Sequence, residues 1–314
     1  MKRALLPALL AGTMALSGCA AFSDEASGPP ATDGRLQVVA SFYPLQYAAQ
    51  RVAGKRADVT NLTRPGAEPH DLEIPPKQTA EVVDADLVLY ESGFQPAVDD
   101  VVAQNTGGTT LDVTRVVDLV ALDHDGHDHG AEDHGAEAEG HGDLDPHFWQ
   151  DPARMAAVGD AVARTLAAAD PDHAAEYRRH AASLRRDLES LDADYRQTLG
   201  SCERRTVVVS HDAFGYLATY GLVMEPIAGL SPGAEPTPAD LGRLEDLIRR
   251  EGITTVFSER LVSPRLSASL AQDVGVRTAV LDPIEGLSDE TSDEDYLSLM
   301  RQNLRALQQA NGCS

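Results

Sequence analysis

Residues 171–200, PDHAAEYRRHAASLRRDLESLDADYRQTLG, decide the fold because they predict one long helix. Pro171 suits the first turn of a helix, and no proline or glycine follows it before Gly200. The apolar positions form one continuous helical stripe, which favours a helix that packs along the body and joins two lobes; a coiled-coil partner is the alternative. The members of this stripe are Tyr177, Leu184, Leu188, Leu191, Tyr195 and Leu199.

Strand-like and helical segments alternate on both sides of this helix. LQVVA (36–40) before it and TVVVS (206–210) after it are examples of the predicted strands. Such alternation is typical of a mostly parallel sheet with flanking helices. The sequence therefore predicts an α/β fold with an N-terminal lobe at 36–170, a linking helix at 171–200 and a C-terminal lobe at 201–314. A ligand would bind in the cleft between the lobes.

The N-terminus has the composition of an export signal. Lys2 and Arg3 precede an apolar run that is too short to span a bilayer and that ends in Leu-Ser-Gly-Cys. This ending resembles the lipobox of bacterial lipoproteins, in which the cysteine, here Cys19, becomes the acylated first residue. We expect a signal peptide at 1–18, a flexible tether at 19–35 and a lipid anchor on the outer face of the cell membrane. An ordinary signal peptide with a chance cysteine is the alternative.

Charge and cysteine content limit the classes of function. The formal net charge of −24 at pH 7 argues against nucleic-acid partners and favours cations. Apart from Cys19, the chain has two cysteines, Cys202 and Cys313. In an oxidising compartment such a pair is more often a disulfide than a metal or catalytic pair. The bond would pin the C-terminal helix to the start of the second lobe.

A histidine-rich acidic run, LDHDGHDHGAEDHGAEAEGHGDL, occupies residues 122–144. Its low hydrophobicity predicts a disordered loop at 123–143. Imidazole is a common ligand of zinc, so the run could collect Zn²⁺ weakly and pass it to a tighter site. The alternative is a solvated insertion with incidental metal affinity. The histidines concerned are His124, His127, His129, His134 and His141.

Three further histidines lie in predicted loops, the usual place for binding groups on a rigid scaffold. His70 is in RPGAEPHDLEIPP (64–76), His147 is in DPHFWQDP (145–152), and His211 follows the strand TVVVS. Each has a neighbouring carboxylate that could accept its second ring N–H and fix its tautomer. Their wide separation carries no local motif, so spacing alone leaves a metal site and structural histidines both open. The neighbouring carboxylates are Asp71, Asp145 and Asp212.

The segments GAEPHDLEIPP, DPHFWQDP, SHDAFGYLATYGL and VLDPIEGLSDE, in this order around a long helix, resemble the metal receptors of bacterial ABC importers. The likeness is to the ZnuA-like zinc branch of these solute-binding proteins, and it extends from about Leu36 to Cys313. It implies two α/β lobes, a rigid linking helix and one metal ion in the cleft. It also implies delivery of that ion to a permease driven by a cytoplasmic ATPase. We expect a monomer that has no enzymatic activity.

The resemblance assigns His70 and His147 as ligands from the first lobe and His211 from the second. The manganese branch usually has glutamate at the third position, so His211 favours zinc over manganese. Glu285 in LDPIEGL matches the fourth ligand, with Asp282 or water as alternatives. Three imidazoles and one carboxylate form a four-coordinate site suited to Zn²⁺, whereas Mn²⁺ prefers more oxygen ligands.

Two other classes of function remain open at this point. A secreted zinc hydrolase would use the same histidines with Glu285 or Glu259 as base, but the sequence has no H-E-x-x-H motif. A closed four-ligand site also lacks the open position that a catalytic zinc keeps for water. An adhesion lipoprotein is the second alternative.

Overall fold

The computed structural model describes residues 34–104, 108–122 and 144–314. The predicted signal peptide, Cys19 and nearly all of the tether lie outside the described residues. The histidine-rich loop at 123–143 also lies outside them, with its five predicted accessory ligands. No helix within the described ranges combines the length and apolar composition that a membrane span requires.

The first lobe is built on a four-stranded parallel sheet with the strand order β2-β1-β3-β4. Three helices connect or follow these strands, and a short antiparallel pair, β5–β6, closes the lobe. The strands are β1 (Leu36–Ala40), β2 (Ala57–Asn61), β3 (Leu87–Tyr90), β4 (Thr109–Asp112), β5 (Val120–Ala121) and β6 (Leu144–Asp145). The helices are α1 (Tyr43–Ala53), α2 (Pro76–Asp84) and α3 (Pro96–Gln104).

Two long helices, α4 (Pro152–Ala169) and α5 (Ala174–Leu199), lead from the first lobe to the second. All six apolar side chains of the predicted stripe on α5 are fully buried, so that prediction is confirmed. The two helices approach closely at Gly159 of α4, where an added Cβ would lie 2.9 Å from Leu184 Cδ2. The stripe therefore fixes α5 against the body of the protein.

The second lobe repeats the architecture of the first, with a four-stranded parallel sheet in the order β10-β9-β7-β8. Its strands are β7 (Thr206–Val209), β8 (Val223–Pro226), β9 (Thr255–Ser258) and β10 (Arg277–Val280). Its helices are α6 (Pro238–Glu251), α7 (Arg265–Val274) and α8 (Tyr296–Asn311). The prediction of two α/β lobes joined by a long helix is confirmed, while the boundaries at 170 and 200 stay predictions.

Local sequence explains where several elements begin. Asp151 accepts a hydrogen bond from the Ala153 amide and caps α4. A capping box between Thr237 and Asp240 starts α6. Another capping box, between Asp295 and Ser298, starts α8. Helix α3 was not predicted, because it is short and buries only Val98 fully, which leaves a weak periodic signal.

Cys202 and Cys313 form the predicted disulfide, which joins the segment after α5 to the residue after the C-cap of α8. Backbone hydrogen bonds from Glu203 to Gly312 and from Arg204 to Asn311 continue this connection. The tyrosine hydroxyl of Tyr195 on α5 donates to the Met300 carbonyl of α8 at 2.7 Å. The disulfide and the Tyr195 hydrogen bond thus both hold the C-terminal helix α8 against α5 and the segment that follows it.

Replacing both cysteines by serine should lower the free energy of unfolding by about 2–4 kcal/mol, because the bond closes a long loop in the unfolded chain. The two cysteines are separated by 111 residues. Denaturant unfolding of the oxidised protein and the double variant, both without metal, measures the difference. The reduced protein should match the double variant, and equal unfolding midpoints for all three would contradict the prediction.

Candidate metal centre

Four side chains from four separate segments converge between the two lobes. His70 lies in the segment after β2, His147 after β6, His211 after β7, and Glu285 after β10. The Nε2 atom of each histidine lies 3.4 Å from Glu285 Oε1. All four candidate ligand atoms lie within 4.8 Å of one another. The structure therefore brings together the four residues that the sequence analysis singled out.

These four atoms are buried and unpaired. Within the described part of the chain, the three Nε2 atoms and Glu285 Oε1 are buried and have no hydrogen-bond partner. Leaving a buried polar atom unpaired costs about 1–3 kcal/mol, so natural folds seldom do it four times at one point. A cation at their common centre would satisfy all four.

The distances from Glu285 Oε1 to the three imidazole nitrogens suit a small tetrahedral ion. Ligands at about 2.0–2.1 Å from a tetrahedral zinc lie about 3.3–3.4 Å from one another. The three observed separations from Glu285 Oε1 are 3.4 Å. Three imidazole nitrogens and one carboxylate oxygen are also the ligand types that structural and transport zinc sites use. The cluster is consistent with a Zn²⁺ site.

Carboxylates fix the orientation of two of the three imidazoles. Asp145 Oδ1 lies 2.7 Å from His147 Nδ1 and also accepts the His147 amide at 2.9 Å. Glu259 Oε1 lies 2.5 Å from His211 Nδ1 and accepts a short hydrogen bond from the Ser210 hydroxyl. Each contact places a proton on Nδ1 and leaves the Nε2 lone pair aimed at the centre.

Only one of these two orienting carboxylates is the one that the sequence predicts. Asp145 is in the predicted place, but Asp212 was named for the role that Glu259 fills beside His211. Glu259 directly follows β9, which pairs in parallel with β7, the strand that leads to His211. The carboxyl ends of neighbouring parallel strands meet at one sheet edge, so strand pairing is the signal that would have found Glu259. Beside His70, the contacting carboxylate is Glu68, 3.1 Å from the His70 amide, while Asp71 is exposed.

The charges in the centre reinforce one another. Burial alone lowers the pKa of His147, but the neighbouring carboxylates of Asp145 and Glu285 outweigh it and raise the value to about 9. Burial likewise lowers the pKa of His211, and Glu259 with Glu285 raises it to about 10. Burial raises the pKa of Glu285, yet the facing imidazoles of His147, His211 and His70 hold it well below its usual range. Without metal, the raised pKa values of His147 and His211 favour their protonated forms beside the ionised Glu285 carboxylate.

A strained turn carries Glu285 into the centre. Ile284, the residue before it, has a φ of 62°, a conformation that β-branched residues rarely adopt. The turn is held by Asp282, whose Oδ1 accepts the Ile284 amide at 2.8 Å. The other oxygen of Asp282 lies 3.1 Å from Arg260 Nε, and Asn303 bonds both the amide and the carbonyl of Asp282. Asp282 thus supports the turn and lies outside the four-atom cluster.

The segment that supplies His147 also holds the Glu285 turn. Trp149 Nε1 and Gln150 Nε2 both donate to the Pro283 carbonyl, at 2.7 Å and 2.5 Å. Tyr296 of α8 donates its hydroxyl proton to the Trp149 carbonyl at 2.5 Å. These hydrogen bonds cross from the first lobe to the second. A shift of the segment that carries His147 would therefore also move the turn that carries Glu285.

Gly215 of the second lobe leaves room for the Asp145 carboxylate, which contacts His147 Nδ1. A Cβ added at Gly215 would lie 2.6 Å from Asp145 Oδ2, which is closer than real Cβ contacts occur. The adjacent Tyr216 donates its hydroxyl proton to the Asp145 carbonyl at 2.8 Å. Asp145 is therefore packed against the second lobe, and only a residue without a side chain fits at 215.

Comparison with known proteins agrees with this geometry. The family model described as "Zinc-uptake complex component A periplasmic" matches residues 38–310. The chain belongs to this family. It is a family of solute-binding receptors and not an enzyme family. The family membership that the sequence motifs suggested is confirmed.

Individual relatives cover most of the chain. It is 34% identical over 299 residues to "Zinc-binding lipoprotein AdcA" of Streptococcus pneumoniae (strain ATCC BAA-255 / R6), with 93% of this chain and 59% of AdcA covered. It is 33% identical over 299 residues to "High-affinity zinc uptake system protein ZnuA" of Bacillus subtilis (strain 168), with 93% and 92% covered. The chain thus spans about three-fifths of the length of pneumococcal AdcA and most of the length of the Bacillus protein.

The fold is also that of a solved zinc-bound relative. The crystal structure of Zn(II)-bound AdcA from Streptococcus pneumoniae superimposes with a TM-score of 0.74 at 32% identity. The match covers 88% of this chain and 58% of that chain.

Replacing Gly215 by alanine should weaken zinc binding about 10–100-fold, because the new methyl group displaces the Asp145 carboxylate that orients His147. Competition titration against a chelating dye measures the affinity. Gly242→Ala in α6 is the matched control, since a Cβ there meets nothing within 4 Å outside its own helix. An unchanged affinity in Gly215→Ala would refute the positioning role of Asp145.

Zinc binding should release protons and strengthen as the pH rises toward about 9. The pKa values of His147 and His211 are raised to about 9 and about 10, so their protonated forms stabilise the metal-free site. This stabilisation is complete below the pKa of a free imidazole, and it disappears as the pH rises through the raised values. Zinc must displace those protons. Calorimetric titration in buffers of different ionisation enthalpy, near pH 7.5, counts the protons released; a count of zero would contradict the charge arrangement.

Proposed function

We propose that this protein is an extracytoplasmic Zn²⁺ receptor that delivers the ion to an ABC permease for uptake. The observation that carries the proposal is the buried set of four unpaired ligand atoms within 4.8 Å of one another between two lobes. The proposed ligands are His70, His147, His211 and Glu285. The names of the relatives, a zinc-binding lipoprotein and a zinc uptake protein, support zinc as the cargo.

The ligand set favours zinc over manganese. Mn²⁺ prefers more oxygen ligands and a higher coordination number, whereas three nitrogens and one oxygen suit four-coordinate Zn²⁺. The orienting carboxylates of Asp145 and Glu259 reach the Nδ1 atoms, on the far side of the rings from the centre. In the proposed geometry they serve as outer-shell partners and leave the ion with an imidazole-rich set.

The same geometry favours a receptor over a hydrolase. A catalytic zinc needs an open coordination position and a nearby base for the attacking water. Glu285 belongs to the four-atom cluster, and Glu259 is engaged by Ser210 and His211. Both carboxylates considered as bases therefore have another role in this arrangement.

The setting of the receptor follows from the relatives and the N-terminal sequence. Relatives named as lipoproteins of zinc uptake support a location outside the cytoplasm. We further propose an anchor through acylated Cys19, a monomeric state, and a partner permease with its cytoplasmic ATPase. The histidines of the 123–143 loop are proposed as weak accessory sites that raise the amount of bound zinc without forming the tight site.

Alanine at any one of the four proposed ligand positions should weaken zinc binding by more than about 100-fold, beyond the roughly 10–100-fold cost of losing an outer-shell partner. Calorimetric titration of each purified variant measures this loss. His173→Ala is the matched control, because this histidine lies before α5 and contacts Asp170 instead of the centre.

A deletion of residues 123–142 serves as the second control. It should lower the total zinc bound while one tight site remains. The assignment fails if the variant with all three histidines replaced keeps the tight site. Metal-dependent turnover of an ester or peptide by the intact protein would revive the hydrolase alternative.

A further inference from the structure

The four ligands of the proposed zinc site are not equally shielded from solvent. The side chains of His147 and His211 are 0% exposed and that of Glu285 is 1% exposed. His70 is 12% exposed, and Glu68 beside it is 18% exposed. An ion that enters or leaves must pass the least covered wall of the site, which is the edge formed by Glu68 and His70.

The chain segment at this edge spans from one lobe to the other. The Gly66 amide donates to the Leu287 carbonyl of the second lobe at 2.7 Å. Gly66 has a φ of 79°, a left-handed turn that glycine adopts without strain. Ala67 O lies 3.5 Å from the Cβ position at Gly286, so the segment packs directly on the turn that carries Glu285. The segment therefore lies against the turn of the opposite lobe that carries Glu285.

Glu68 is placed where it can share an ion with His70. Its Oε1 lies 3.9 Å from His70 Nε2. Two ligands at about 2.0–2.2 Å from one zinc ion can be at most about 4.4 Å apart, so one ion can touch both atoms. Glu68 is not a member of the cluster whose atoms all lie within 4.8 Å of one another. It is thus in reach of the ion only when the ion is at the His70 edge.

We propose that Glu68 is an exchange ligand, which binds Zn²⁺ transiently at the edge and transfers it to and from the buried site through His70. This inference rests on the proposed zinc-receptor function. Hydrated zinc must lose its waters one at a time before four protein atoms can surround it. A carboxylate at the edge replaces a water early and lowers the barrier for this step. By microscopic reversibility it lowers the barrier for release as well, without adding to the stability of the final complex.

The test compares Glu68→Gln with the wild-type protein in both directions. Glutamine keeps an oxygen that can accept the His70 amide and has almost the same shape, so the fold is retained. Stopped-flow mixing of metal-free protein with Zn²⁺ gives the association rate, and mixing of the zinc complex with excess chelator gives the release rate. Loss of one charge-assisted contact should slow each rate about tenfold, while the dissociation constant changes less than about threefold.

Glu73→Gln is the matched control, because it removes the same charge from an exposed position of the same segment. It should leave both rates near those of the wild type. If Glu73→Gln slows association as much as Glu68→Gln does, the slower rate reflects only the general attraction of negative charge for the cation, and the proposal is overturned. Unchanged rates in Glu68→Gln would overturn it too. Faster release with weaker affinity would instead make Glu68 an equilibrium ligand, which also contradicts the proposal.

Failure of this inference can be told apart from failure of the proposed function. If the wild-type protein binds no zinc tightly, the receptor function itself is wrong, whatever the Glu68 variant does. If the wild type binds zinc tightly and the rates of Glu68→Gln are unchanged, only the exchange role is wrong.

Discussion

The attraction between one buried carboxylate and three imidazoles is the interaction on which the rest of the structure depends. Glu285 is 1% exposed, and an isolated carboxylate at such a depth would be costly. The facing imidazoles of His147 and His211 offset that cost, since their raised pKa values favour the protonated form beside the carboxylate. Because the four residues come from both lobes, the same attraction draws the lobes together.

Precision in this centre comes from groups outside the four-atom cluster. Asp145 and Glu259 set the rotation of two imidazoles, and Trp149 with Gln150 fixes the Glu285 turn through one carbonyl. Backbone strain of the kind seen at Ile284 costs about 1–3 kcal/mol and persists only where its surroundings over-determine it. Here the Asp282 carboxylate holds the Ile284 amide, and Trp149 and Gln150 hold the turn from the other lobe. The strained residue Ile284 and the hydrogen bonds that position Glu285 therefore belong to the same turn.

The parts of the fold that local pattern controls were predictable from the sequence. The stripe on α5 and the strand β1 follow from periodicity and from short runs of β-branched residues, and both were located correctly. Helix α3 and the pair β5–β6 were missed because they are short and bury little. The site could be assembled only with the help of motif resemblance, since the three histidines are far apart in the chain. Glu259 was not identified as the partner of His211, because their contact depends on the pairing of β7 with β9, which no local pattern encodes.

Trp149 is the single tryptophan of the chain, and it occupies the point where the lobes meet. The rings of Phe42, Phe94 and His147 surround its indole at centroid distances of 4.9, 5.5 and 5.2 Å. Indole emission responds to hydrogen bonding and to nearby charge. The hydrogen bond to Pro283 reports on the opposite lobe, and zinc binding as proposed at His147 would change the charge beside the ring. The emission of this single indole therefore reports on the contact between the lobes, with no second tryptophan in the sequence to obscure it.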